Sequence, residues 1–297
     1  MKKRICYVIL CAMIFSLYFP MVVHADVGPK EEIKIVFHNM QEECYVTLLF
    51  PDAYSTSVPW TGAWTGDPDS KVDSYHGNGF TSEIWQIFAD YKDADGFYFM
   101  QTADLLDESG EYRWIRDTPS EFKILLYFPK LDKFVVSEVC HTYAFYSAYS
   151  VEMNGIDIKA VDSHSPAFSA VRSRHLIVLI GGLIVRIILT ILIEVGIALL
   201  MGIKRRKELG FIILVNIFTQ GILNAWLTMV NYYEGSMSFG FSSILGEMIV
   251  LVLESIIYSV GFHIISKGEI RVVKSLKYAF LANVCSCFIG YILTLVF

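Results

Sequence analysis

The sequence predicts a membrane protein in which an α-helical four-transmembrane bundle follows a mainly-β (α+β) extracytoplasmic domain. Three observations predict it. The chain of 297 residues is 54% hydrophobic, with a composition that two soluble domains of ordinary make-up do not share. The apolar residues crowd into residues 5–23 and again from 176 to the end, leaving an acidic, turn-rich stretch between. Charge divides along the same line: residues 26–172 hold 24 Asp and Glu against 11 Lys and Arg, net −13, whereas residues 173–297 hold 6 against 10, net +4.

The amino terminus has the build of an export signal. MKKR is a positive n-region, ICYVILCAMIFSLYF is an apolar core closed by Pro20, and Val23-His24-Ala25 forms a cleavage site before Asp26. Residues 1–25 therefore read as a secretory signal, with an uncleaved signal anchor as the alternative. Either way residues 26–172 are expected outside.

The external stretch, assigned to residues 26–160, is long enough for one domain. EEIKIVFHNM and ECYVTLLF alternate with period two and read as strands, FKILLYFPKLDKFVVSEVC as a hairpin turned at residues 129–133, and TYAFYSAYSVEM as a further strand. TSEIWQIFADY spaces Ile84, Ile87, Phe88 and Tyr91 helically behind a Thr or Ser cap, so a helix is expected on the sheet. Whether the strands close as a sandwich or an open sheet is not set by the pattern. Residues 161–175, VDSHSPAFSAVRSRH, read as a linker.

Four apolar stretches follow, at about residues 176–202, 209–230, 239–265 and 278–297, each near the roughly 20 residues that a crossing helix needs. KRRK at 204–207 follows the first and Lys267, Arg271, Lys274 and Lys277 follow the third, while NYYEGSMS at 231–238 has no basic residue. The positive-inside rule then places the first and third connections in the cytoplasm and leaves the external domain, residues 26–175, and the carboxyl terminus extracytoplasmic. The expected location is the cell membrane, multi-pass, with the lipid bilayer as first partner.

Polar residues recur inside these stretches. Glu247 and Glu254 are seven apart, about 20° around a helix axis and about 10 Å along it, so they share one face. Asn216, Gln220 and Asn224 fall at i, i+4 and i+8 with Thr219 beside them, and Arg186, Glu194 and Asn283 come from the first and fourth stretches. Such groups turn toward one another inside a bundle. The expectation is an internal polar seam in which Arg186 pairs with Glu254 or Glu247. The seam either assembles the helices and docks a membrane-protein partner or a second copy, or it forms a path for protons or small solutes.

Other motifs are weaker. Cys44 and Cys140 are a candidate disulfide, with two buried free thiols as the equal alternative. DADG at 93–96 misses the acidic positions of a calcium loop and reads as a turn. His76, His141 and His164 lack metal spacing, so neither metal nor cofactor is expected, and no nucleophile sits in a recognisable elbow, so no enzyme activity is expected. Trp60 and Trp64, in the turn-rich loop 51–79, are candidates for a carbohydrate or peptide site. The net −13 of the exterior disfavours nucleic acid.

ADVGPK just past the signal, NIFTQGILN and GEMIVLVLESIIY together resemble a family of multi-pass membrane proteins of Gram-positive bacteria. The resemblance spans most of the chain and implies no particular activity. It singles out Asn216, Thr219, Gln220, Asn224, Glu247 and Glu254 as the residues to test. The functional expectation is an extracytoplasmic binding, sensing or accessory module anchored by a polar-seamed bundle that docks a partner, with a small-solute, ion or proton transporter or channel component as the alternative.

Overall fold

The computed structural model describes residues 29–40, 42–52, 61–107, 109–115, 117–173 and 176–296. The export signal and Trp60 lie outside the described residues. The chain forms a mixed-sheet β domain followed by long helices.

Sheet one has the order β11 (Val171–Arg172), β9 (Tyr146–Glu152), β1 (Glu32–His38) and β5 (Glu111–Ile115). Sheet two runs β10 (Pro166–Phe168), β7 (Lys133–Ser137), β6 (Glu121–Phe128), β2 (Tyr45–Phe50) and β3 (Tyr98–Phe99), with β4 (Asp104–Leu105) also on β2 and β8 (Cys140–His141) also on β6. β1 is parallel to β9 and β10 is parallel to β7; the other pairings are antiparallel. The strand alternation of β1 explains its place: Ile33, Ile35 and Phe37 face inward, while Lys34 faces out to an ion pair with Glu111 at 2.6 Å.

The two sheets close as a sandwich. Ile33, Ile35 and Phe37 of sheet one pack in one core with Val46, Leu48, Phe50, Ile124, Leu126 and Phe128 of sheet two. The alternate residues Leu49, Leu125, Tyr127 and Val136 point the other way and meet Trp85, Phe88 and Ala89 of helix α1 (Ser82–Asp90). β6 is consequently buried along nearly its whole length, because both of its faces are covered. Thr81 caps α1 as its sequence suggests, its hydroxyl accepting from the Ile84 N–H at 3.4 Å. The helix buries Trp85 and Ala89 more deeply than the expected Ile84 and Ile87, which are half-exposed.

One expectation for the exterior is corrected here, and one open alternative is decided. The stretch 161–175 is not a free linker, since β10 and β11 lie within it and complete both sheets. Cys44 and Cys140 are buried free thiols. The register explains why: Tyr45 pairs with Tyr127, which puts Cys44 level with Phe128, whereas Cys140 pairs with Phe122. Six residues of strand, about 20 Å, separate the two levels, far beyond the reach of a disulfide.

Helix α2 (Leu176–Leu200) follows the sandwich, then α3 (Arg206–Ile265) and α4 (Val272–Val296). α2 and α3 are long and apolar enough to cross a membrane. α3 is two arms, 206–234 and 236–265, meeting at Gly235, whose φ of 82° and ψ of −179° interrupt the helix. The arms lie side by side as an antiparallel hairpin, because Asn216 touches Tyr258 and Thr219 touches Glu254. Each arm has about 30 residues and so is about 45 Å long. The reversal is tighter than expected: residues 231–234 and 236–238 of the anticipated connection stay helical. Glycines let the arms approach, since a Cβ on Gly246 would stand 2.4 Å from Leu223 and one on Gly261 2.2 Å from the Phe211 ring.

The sandwich sits against the reversal. The Phe145 N–H donates to the Tyr232 carbonyl at 3.0 Å, and the Phe145 ring lies where a Cβ on Gly235 would be, 2.7 Å away. Ser147, itself buried, shapes this loop by accepting from the Tyr143 and Ala144 N–H groups at 3.0 and 3.1 Å and donating to the Ala144 carbonyl. The other end of the bundle carries the basic connections, where Arg205 pairs with Glu269 and Lys274 reaches Gly202.

Candidate functional site

Seven polar residues inside the bundle form two neighbouring networks, one on Glu194 and one on Glu254. Glu194 of α2 is fully buried, and one of its carboxylate oxygens, Oε2, accepts from Asn216 Nδ2 at 2.6 Å, Tyr278 OH at 3.2 Å and Tyr258 OH at 3.3 Å. Glu254 of α3, also fully buried, accepts from Thr219 Oγ1 at 2.6 Å and from Asn283 Nδ2 of α4 at 2.7 Å. Helical periodicity brings these groups together: Asn216 and Thr219 share one face of the first arm, Glu254 and Tyr258 one face of the second. Every helix of the bundle contributes at least one member.

Neutral donors alone contact the two carboxyl groups, and no cation pairs with either among the described residues. Several buried polar atoms have no hydrogen-bond partner there: Glu194 Oε1, Asn216 Oδ1, Asn283 Oδ1, Gln220 Nε2 and Glu247 Oε2. Gln220 and Asn224 stay within their own arm, with Asn224 Nδ2 donating to Gln220 Oε1 at 3.2 Å. Glu247 is half-buried, about two turns from Glu254 toward the sandwich.

The expected pairing of Arg186 with Glu254 or Glu247 does not form. Its guanidinium lies 5.7 Å from the centre of the Phe239 ring. A side chain on a helix leans toward the helix amino terminus, which for α2 is the sandwich end, and a long arginine follows that direction away from the carboxyl groups. Two members of the cluster went unnoticed in the sequence, Tyr258 and Tyr278. Tyr258 had a usable signal, since it lies four residues after Glu254 and so on the same face.

Outside the bundle, DADG forms a turn with a structural duty. Asp93 and Asp95 grip the ammonium of Lys123 at 2.9 and 2.6 Å, and Lys123 and Asp93 are buried on β6 and its facing loop. Trp64 packs edge-on to Trp85 at 5.0 Å, and Lys71 lies 4.2 Å over the Trp85 ring. Trp64 is thus a partly buried flank of the layer between helix and sheet. No group of three or more His, Cys, Asp or Glu is placed to hold a metal among the described residues.

Comparisons with protein-family models, with characterised proteins and with solved structures find no match, so the functional reading rests on this geometry.

Proposed function

We propose that the chain is a multi-pass protein of the cell membrane, with four crossings made by α2, the two arms of α3 and α4. Its exported sandwich is a binding or sensing module, and its state is passed to the bundle through the contact of Phe145 with Gly235. That contact carries the reading: a hydrogen-bonded loop of the sandwich occupies the place where the helical hairpin is interrupted. The threading is supported by the basic connections, which cluster at the end of the bundle away from the sandwich, as the positive-inside rule requires of a cytoplasmic side. The seam glutamates Glu194 and Glu254 are turned inward, so a partner protein or second copy would meet the apolar outer faces.

Hydrogen exchange on the full chain in lipid nanodiscs tests the coupling. Phe145→Ala is expected to speed exchange around Gly235 and onward to the Glu254 level while leaving β1, β2 and β6 protected. Unchanged exchange in both arms of α3 would sink the coupling.

The second reading, a transporter or channel component for ions, protons or small solutes, is favoured by two interior carboxyl groups that lack a cation partner among the described residues. Flux into proteoliposomes that is the same for wild type and Glu254→Gln would remove it.

A further inference from the structure

We propose that Glu194, Asn216, Glu254 and Asn283 form an intramembrane binding site for a small monovalent metal cation of the sodium class. The site stands on the bundle alone and does not depend on what the sandwich senses.

The first observation is the polarity of the atoms left over. Asn216 and Asn283 spend their amide N–H groups on the two carboxylates and on the carbonyls of Ile212 and Ala279. This fixes the amide orientation and leaves each Oδ1 facing no donor among the described residues, as is Glu194 Oε1. All three residues are at least nine-tenths buried, at 0%, 3% and 0% exposure for Asn216, Asn283 and Glu194. A buried oxygen without a donor is destabilising, so three of them on adjoining, tightly packed helices call for a partner. An acceptor-only set is satisfied by a cation or by a donor.

The second observation is charge. Glu194 and Glu254 accept hydrogen bonds only from neutral side chains, Asn216, Tyr258 and Tyr278 on the first and Thr219 and Asn283 on the second. Carboxylates inside a membrane take a partner of opposite charge, and Arg186 is engaged elsewhere.

Ligand type and number select the ion. Oxygen donors alone suit hard cations. Calcium takes about 6–8 oxygens, and magnesium keeps several waters in its shell. The three unpartnered oxygens on these helices are fewer ligands than either ion demands, which favours a monovalent ion.

Equilibrium binding of radioactive sodium to the full-length protein in nanodiscs tests the site. Saturable binding is expected, displaced by unlabelled sodium and untouched by choline, with an affinity at least about tenfold weaker in Glu254→Gln and in Asn283→Ala. Glu247→Gln, outside the cluster, should bind as wild type does. Should the Glu254 and Asn283 variants fail to fold, wild-type thermal unfolding decides: sodium chloride must raise the Tm and choline chloride at equal ionic strength must not, because a ligand of the folded state stabilises it. The proposal is overturned by no saturable sodium binding to wild type, by equal binding in folded Glu254→Gln, by loss of binding in Glu247→Gln, or by binding of calcium in place of sodium.

Discussion

Lys123→Met should be among the most damaging single changes in the sandwich. Lys123 is 1% exposed and its ammonium is held by both Asp93 oxygens at 2.9 Å and by Asp95 at 2.6 Å, and Asp93 is itself fully buried. Methionine fills much the same volume, so the packing loss is small and the charge loss dominates. The buried Asp93 carboxylate would keep only the N–H groups of Asp95 and Phe97, at 3.0 and 3.3 Å. Leaving one member of a buried pair uncompensated costs about 3–5 kcal/mol. Asp95 is 59% exposed, and the loss of its share adds no more than about 1 kcal/mol. Urea unfolding of the full chain in nanodiscs, followed by the sandwich tryptophans in a Trp226→Phe background, reads the change as a shift in midpoint. Adding Asp93→Asn to Lys123→Met should recover most of the loss, because the stranded charge is then gone. A cost below about 1 kcal/mol for the single change, or no recovery in the double, would refute the reasoning.

Other expectations follow from neighbouring features. Burial opposes the charge on Lys123, but the hydrogen bonds it donates to Asp95 and Asp93 outweigh it and raise its pKa above the ordinary lysine value. A raised folded-state pKa means that this stability is complete below about pH 10.4 and is lost as pH rises further, so the alkaline fall in wild-type stability should be shallower in Lys123→Met. The buried thiols of Cys44 and Cys140 are pushed up to about 12 and about 11, chiefly by burial. Near pH 8 both should resist alkylation until urea unfolds the sandwich, and mass spectrometry should find neither in a disulfide. Gly235→Ala places a side chain at φ 82°, a region essentially reserved for glycine, and drives it into Phe145. The backbone strain alone is about 1–3 kcal/mol, so adding Phe145→Ala should relieve the clash but not restore wild-type thermal stability.

The sequence carried much of the external domain, though β3, β4 and β5 went unread. β1, β2, the β6–β7 hairpin, β9 and α1 all lie where period-two or helical spacing puts them. The sandwich itself could not be read, because closure depends on which strands pair. β1 reaches β9 across more than a hundred residues, and nothing local announces that partner. β10 and β11 were missed for a related reason. They are strands of three and two residues at sheet edges, too short to show a period. In the bundle, spacing put Asn216 and Thr219 on one face of the first arm, and both now contact residues of the second arm, but it did not foresee that Asn283 would meet Glu254. It failed for Arg186 because a helix position fixes the Cα level and not where a long side chain ends. It overlooked Tyr278 because the bond to Glu194 joins two helices whose rotation about their axes no periodicity records.

The threading of the chain is the claim on which the rest depends, and labelling of single cysteines with a membrane-impermeant thiol reagent tests it most directly. In a background with the native cysteines replaced by serine, Asp69→Cys reports on the sandwich, and Lys204→Cys and Lys267→Cys report on the two basic connections, all three at exposed positions. The account predicts that Asp69→Cys is labelled in intact cells and that the other two react only after the membrane is opened. Labelling of either connection from outside, or protection of Asp69→Cys until lysis, would contradict it.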